Sequence, residues 1–204
     1  MAHKRYQPNI VILPDGSIAV FGGQTDVHPG YVLQAELWNG SGWQPLATAN
    51  PVSPRGEHST ALLLRNGNVL LAGGDLRSSD SETFVPPQLC GTNPRPQWVT
   101  PPPSIIMYAT NYEVEYDLPT GATISKVVLM RPGSVTHATN FEQRYVQLSF
   151  AVSSPGKLTF TGPAGKPGRV TLPANSNAAP EGYYMLFLVS GQGTWSVAQW
   201  VNLQ

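Results

Sequence analysis

The chain has 204 residues, of which 12 are Lys or Arg and 12 are Asp or Glu, so its formal net charge is zero. Charged residues make up 12%, about half the usual share, and no basic run could neutralise a phosphate backbone, which argues against nucleic acid as a partner. No apolar stretch approaches the roughly 20 residues that span a bilayer, so no membrane association is expected.

An internal repeat occupies the first half of the chain. Residues 6–16 and 57–67 have the same pattern, and each stretch continues to a Gly-Gly pair. Gly16 and Gly67 are 51 positions apart, as are the first glycines of the two pairs, Gly22 and Gly73. A period of about 50 is typical of the kelch-type propeller blade. Because a propeller needs roughly 4–8 blades to close, two blades predict self-association or a partner chain that supplies further blades.

Each repeat predicts a hairpin followed by outer strands. Apolar runs flank an Asp-Gly turn in the first repeat and an Asn-Gly turn in the second, and the glycine supplies the positive φ of a tight hairpin. Outer strands are predicted at 35–38 and 43–46 in the first repeat, and the second repeat ends at the run 81–87. The Gly-Gly pairs should allow neighbouring backbones to approach closely.

A change in composition marks a domain boundary. Seven prolines lie within residues 86–103, both ends included, a density that disfavours a helix or a central strand. Short strand-like runs then follow at 105–108, 111–116, 122–131, 145–152, 156–161, 168–173, 183–190 and 196–203. This spacing is typical of a β-sandwich. The sequence therefore predicts an all-β chain, with two kelch blades over 1–93 and an immunoglobulin-like sandwich over 94–204.

Four histidines are the main candidates for chemistry. His3, in a terminal arm, and His28, in a Pro/Gly-rich loop, are predicted to be solvated surface residues. His58 opens the innermost strand of a blade, where a propeller faces its central channel. His137 lies in a long connection between two strong strands, and spacing alone leaves open whether it meets His58.

Four motifs in a fixed order carry a family resemblance. They are Arg-Gly-Glu-His-Ser at 55–59, Ser-Glu-Thr-Phe-Val-Pro-Pro at 81–87, the run 130–140 that contains Thr-His-Ala-Thr-Asn, and the run 180–187. In this order they resemble the C-terminal part of the galactose oxidase and glyoxal oxidase family. The resemblance implies a seven-bladed propeller followed by an early set sandwich, and it slightly favours an extracellular or periplasmic location. It also implies copper, with His58 as the ligand from the last blade and His137 as the ligand from a sandwich hairpin.

Two departures from the family pattern qualify this expectation. Glu57 occupies the position of the family's axial tyrosine, and the cross-linked radical tyrosine lies on blades outside these 204 residues. Cys90 follows the last blade, which is the wrong place for the thioether. The resemblance therefore implies that these 204 residues do not build the radical site alone.

A simpler metal centre remains a prediction. Two imidazoles and a carboxylate, from His58, His137 and Glu57, suit zinc, copper or ferrous iron. Glu57 could also accept a proton from an alcohol held within about 3 Å. Adjacent strand residues point to opposite faces, so Glu57 and His58 can share an ion only where the strand bends or begins. The alternative is a family remnant whose polar residues bond to their neighbours without a metal.

Three functional classes follow. One is an oxidase subunit that, once completed, oxidises primary alcohols or aldehydes with oxygen and releases hydrogen peroxide. Another is a non-catalytic module that binds carbohydrate or protein. Its candidate platforms are the five tryptophans, Trp38, Trp43, Trp98, Trp195 and Trp200. The third is a different metal enzyme that uses the predicted triad for hydrolysis or oxygen chemistry.

Overall fold

The computed structural model describes residues 1–26, 30–46, 53–74, 79–163 and 178–204. His28 and the strand predicted over 168–173 lie outside these ranges. Apart from one four-residue helix, the regular secondary structure of the described residues is β-strand, so the all-β prediction is confirmed. They divide into two compact units, Met1–Pro86 with Gly133–Gln143, and Pro87–Pro132 with Arg144–Gln204.

The first unit contains two consecutive antiparallel sheets. The first sheet has the order β1 (Asn9–Ile12), β2 (Ile18–Phe21), β3 (Glu36–Trp38) and β4 (Trp43–Pro45). The second has the order β5 (Ser59–Leu63), β6 (Val69–Gly73) and β7 (Ser81–Phe84). In both sheets each strand pairs with the next strand in the chain, an arrangement consistent with the predicted blades.

The turns of the two repeats are built by the same hydrogen bonds. In the first turn, Leu13 N–H donates to the Ser17 carbonyl at 2.8 Å and Gly16 N–H donates to the Leu13 carbonyl at 2.9 Å. The same two bonds recur 51 positions later within residues 64–68, both at 2.8 Å. Gly16 has a φ of 92° and Gly67 a φ of 84°, as the hairpin requires. The predicted positive-φ turns are confirmed.

A buried ion pair connects the start of the first repeat to its third strand. The Arg5 and Glu36 side chains are fully buried and form an ion pair, with Nη2 and Oε2 2.6 Å apart. Arg5 Nη1 also donates to the Gly22 carbonyl at 2.9 Å, and Nη2 donates to the Gln34 carbonyl at 2.8 Å. The charge is thus paired and hydrogen-bonded, as a buried charge must be.

The second unit is a sandwich of two antiparallel sheets with one added parallel strand. One sheet has the order β15 (Phe150–Ser154), β16 (Lys157–Thr161), β10 (Asn111–Asp117) and β8 (Gln97–Thr100). The other has the order β14 (Arg144–Leu148), β11 (Ile124–Arg131), β17 (Gly182–Ser190), β18 (Gln199–Leu203) and β9 (Ile105–Ile106), with β9 parallel to β18.

One hydrophobic core fills this sandwich. Its buried side chains come from both sheets and from the segments that connect them: Ile106, Val114, Tyr116, Ile124, Val127, Leu129, Leu148, Leu158, Phe160, Ala179, Tyr184, Leu186, Leu188, Val201 and Leu203. The central strand β17 is buried from Tyr184 to its end. The sequence of this strand is therefore an almost continuous apolar run, because both of its faces are covered.

Two sequence predictions differ from the structure. The single strand predicted over 145–152 is two strands, β14 and β15, that belong to different sheets. The proline-rich stretch contains the short helix α1 (Pro87–Cys90) and the strand β8, so the prediction of no helix there was wrong. Proline is tolerated at the first helical position, where no intrahelical N–H bond is lost. The strand β8 lies at the edge of its sheet, which is where neighbouring prolines are accommodated.

Candidate metal site

His58 and Glu57 lie in a turn directly before β5, which begins at Ser59. Ser59 secures this turn, because its N–H and its hydroxyl both donate to the Gly56 carbonyl, at 3.1 and 2.6 Å. Glu57 is half-buried and His58 is exposed. Since the strand begins after these residues, the alternation of a strand does not force the two side chains onto opposite faces.

Arg55 ties the segment before His58 to the second sheet. Its side chain is buried, Nη1 donates to the Gly73 carbonyl at 2.7 Å, and Nη2 is 2.7 Å from Glu82 Oε1. This is the arrangement that Arg5 makes in the first repeat. Sequence reasoning missed it, although a signal existed: each arginine stands four residues before the first residue of its innermost strand, Asn9 or Ser59.

His137 lies at the tip of a hairpin formed by β12 (Val135–Thr136) and β13 (Thr139–Asn140). His137 and Ala138 are the two residues of its turn, with φ values of 50° and 60°. Positive φ at both positions is the type I′ geometry, which normally favours Asn-Gly. Non-glycine residues held in this conformation often mark functional sites.

The positive φ at Ala138 predicts how substitutions there change the stability of the chain. Ala138→Gly should stabilise the chain by up to about 1 kcal/mol, because glycine reaches this φ without the steric cost that a Cβ imposes. Ala138→Val should destabilise it by about 1–2 kcal/mol, because a β-branched residue is poorly tolerated there. Denaturant unfolding of both variants checks this, and the opposite order of stabilities would show that the turn is not under strain.

The structure brings His58 and His137 together. Their ring centroids are 5.2 Å apart and the ring planes are inclined by 69°. His137 Nδ1 is 2.8 Å from the Thr136 hydroxyl. Across the described ranges no group of three or more His, Cys, Asp or Glu side chains is placed to hold a metal ion, so Glu57 does not complete a three-ligand set with the two histidines in this conformation.

The tryptophans differ in how much they could contact a ligand. Trp195 is fully buried, which rules it out as a binding platform. Trp38 and Trp43 are half-buried and pack on each other, with centroids 5.7 Å apart. Trp98 is half-buried and donates from Nε1 to a backbone carbonyl at 2.8 Å. Trp200 is 45% exposed, the most of the five.

Comparison with known proteins assigns the family. The model of the "Galactose oxidase-like, Early set domain" family matches residues 95–203, and the chain belongs to this family. The family resemblance seen in the sequence and the immunoglobulin-like nature of the sandwich are thereby confirmed. Among the described residues, the structure has no helix with the length and apolarity needed to cross a membrane.

Several relatives are named as oxidases, and they are much longer than this chain. It is 30% identical to galactose oxidase of Gibberella zeae over 95% of the chain and 28% of that protein. It is 26% identical to aldehyde oxidase GLOX1 of Arabidopsis thaliana over all of the chain and 36% of that protein. It is 30% identical to aldehyde oxidase GLOX of Vitis pseudoreticulata over all of the chain and 42% of that protein. The chain thus spans less than half the length of these relatives.

A solved structure supports the fold. The whole chain resembles 43% of a fungal alcohol oxidase of the AA5 family, described in complex with copper, with a TM-score of 0.81 and 23% sequence identity. At this identity the likeness concerns the fold.

Proposed function

We propose that this chain supplies two imidazole ligands, His58 and His137, to a copper ion in an oxidase of alcohols or aldehydes. What supports the proposal is the 5.2 Å separation of the two ring centroids. Two imidazoles bound to one ion through nitrogen at about 2.0 Å, with a bond angle of about 90–110°, have ring centres roughly 4.5–5.2 Å apart. The observed separation is compatible with one shared ion.

The donor chemistry also fits copper. Imidazole is a ligand that copper, zinc and iron accept, and the copper-bound relative of the same fold favours copper among them. In a metal-bound form, His137 Nδ1–H would donate to the Thr136 hydroxyl and leave Nε2 as the ligand atom. A hydrogen bond of this kind fixes the tautomer and orientation of a metal-bound histidine. Bound copper would supply the one-electron chemistry that alcohol oxidation by oxygen requires.

Glu57 is the proposed proton acceptor. It stands next to His58 at the position where the family resemblance implies a tyrosine, and its carboxylate can accept a proton but cannot carry a phenol radical. We therefore expect the radical group and further copper ligands to come from blades outside these 204 residues, and we propose that the two blades associate with a blade-bearing partner or with a second copy of the chain. An extracellular or periplasmic location is part of the same proposal.

Copper titration tests the two ligands. The wild-type chain should bind one Cu²⁺, and His58→Ala or His137→Ala should each weaken binding at least about 100-fold, the upper end of what loss of an outer-shell partner alone costs. Native mass spectrometry of the chain with increasing Cu²⁺ reports the stoichiometry, and a competition titration reports the affinity. His3→Ala is the matched control, since His3 is an exposed histidine in the N-terminal arm.

The outcomes separate the parts of the proposal. A wild-type chain that ignores Cu²⁺, or histidine variants that bind it as tightly as the wild type, would overturn the metal site. Hydrogen peroxide formation from a primary alcohol or an aldehyde tests the need for further blades: the copper-loaded chain alone should form none, and peroxide formed by it would contradict the missing radical group. The native mass spectra also report whether the chain associates, and a bare monomer at all concentrations would contradict the proposed association.

A further inference from the structure

Gln143 anchors the hairpin that carries His137 to the first strand of the chain. Its Nε2 donates to the Ile10 carbonyl at 2.9 Å, and its Oε1 accepts from the Ile12 N–H at 3.1 Å. A carbonyl and an N–H two residues apart on one strand edge are the groups that a neighbouring strand would use. One side-chain amide therefore takes the place of a paired strand on β1.

Hydrogen bonds within the hairpin connect its two strands to Gln143. Asn140 Oδ1 accepts from the Ser134 N–H at 3.1 Å and from the Gln143 N–H at 3.3 Å. Gly133 makes this approach possible, because a Cβ at that position would lie 2.6 Å from Asn140 Nδ2. The hydrogen bonds connect both sides of the hairpin base to the residue that is fixed on β1. These bonds thereby fix the position of the His137 turn relative to β1.

The other end of β1 holds the segment that carries His58. Asn9, the first residue of β1, is 3% exposed, and its Nδ2 donates to the Ser59 hydroxyl at 2.7 Å. That hydroxyl in turn donates to the Gly56 carbonyl at 2.6 Å. Ser59 directly follows His58, so these bonds also hold the turn of His58 in place relative to β1.

We infer that β1 sets the distance between the two histidines by holding both segments that carry them, and that Gln143 is the positioning residue for His137. Neither Gln143 nor Asn9 contacts the proposed ion, and each acts through the element that it fixes. The inference rests on the proposed function for its metal-binding readout, while the ring-to-ring geometry can be tested without metal.

The test uses the full chain and the variant Gln143→Leu, which keeps most of the side-chain volume and removes both hydrogen bonds. We expect it to weaken Cu²⁺ binding about 10–100-fold, the range found when a partner behind a metal ligand is lost. We also expect the metal-free variant to lose the NMR cross-peak between the ring protons of His58 and His137. Gln143→Glu keeps the acceptor for Ile12 but not the donor for Ile10, and should weaken Cu²⁺ binding less than Gln143→Leu.

Gln147→Leu is the matched control, because Gln147 is an exposed glutamine on β14 in the other unit. It should keep both the affinity and the cross-peak. Unchanged affinity together with an unchanged cross-peak in Gln143→Leu would overturn the inference and leave the proposed function standing. If the wild type binds no Cu²⁺, the proposed function fails, and the cross-peak in the metal-free proteins still decides the role of Gln143. Circular dichroism confirms that each variant is folded.

Discussion

Glu36→Gln should lower the free energy of unfolding by about 3–5 kcal/mol, the cost of leaving a buried charge without its partner. The substitution preserves the shape of the side chain and removes only its charge. The Arg5 guanidinium, fully buried with Glu36, would keep its bonds to backbone carbonyls but lose its anion. Urea unfolding of the wild type and the variant at pH 7 measures the difference.

The same ion pair gives a pH dependence. Burial by itself raises the pKa of Glu36, but the Ala2 and His3 amides and the Arg5 guanidinium outweigh it, so the pKa lies below its ordinary value of 4.5. A lowered pKa in the folded state contributes stability that is fully present above the unfolded pKa. This stability is lost as the pH falls through the folded pKa. As the pH is lowered below 4.5 and through the lowered pKa of Glu36, the wild type should therefore approach the stability of Glu36→Gln.

Glu115→Gln is the control for this experiment. Glu115 also forms an ion pair, with Lys157 Nζ 2.8 Å from its Oε1, but both side chains are substantially exposed. The Lys157 ammonium and the Thr100 hydroxyl lower the pKa of Glu115 by hydrogen bonding, yet exposed pairs contribute little to stability. Equal losses in Glu36→Gln and Glu115→Gln would contradict the importance assigned to burial.

Phe160→Ala should destabilise the sandwich by about 3–5 kcal/mol, the usual cost of removing a fully buried phenylalanine from a core. Phe160 has no exposed surface. On one side it lies opposite Tyr112 on β10, with ring centroids 5.5 Å apart, and on the other it lies opposite Phe150 on β15. Rings on both neighbouring strands leave little room for the structure to collapse into the cavity.

Val152→Ala provides the comparison, because Val152 is an apolar residue on β15 that is 50% exposed. Its loss should change the free energy of unfolding by no more than about 0.5 kcal/mol, as for most surface substitutions. Chemical denaturation followed by circular dichroism measures both variants. A loss of under about 1 kcal/mol for Phe160→Ala would mean that the site repacks, and that the sandwich depends less on this ring than its burial indicates.

Local features were predictable from the sequence because their causes are local. The apolar run predicted to follow the first turn is the observed β2, and the glycines at 16 and 67 adopt the expected positive φ. Turn chemistry acts over four or five residues, so it is visible in the sequence. The division of the run 145–152 was not predictable, because the run is strand-like throughout and only the sheets with which β14 and β15 pair distinguish them.

The candidate site shows the same limit more sharply. Its two histidines could be named from the motifs that contain them, but their 79-residue separation in the chain gives no distance in space. The turn at His137 and Ala138 lacks the Asn-Gly signal that would have revealed a two-residue hairpin. The bonds of Gln143 to β1 join residues more than 130 positions apart, which no local pattern records.

The all-β class, the 51-residue repeat, the change to a sandwich after the prolines and the residue types available for a metal could all be inferred from the sequence alone. Each follows from periodicity, turn residues or composition, which act between neighbours in the chain. The folded structure was needed to show that His58 and His137 meet, that Arg5 and Arg55 form corresponding ion pairs, and that β1 holds both histidine-bearing segments. These contacts join segments that are distant in the chain, and they form only when the sheets are folded.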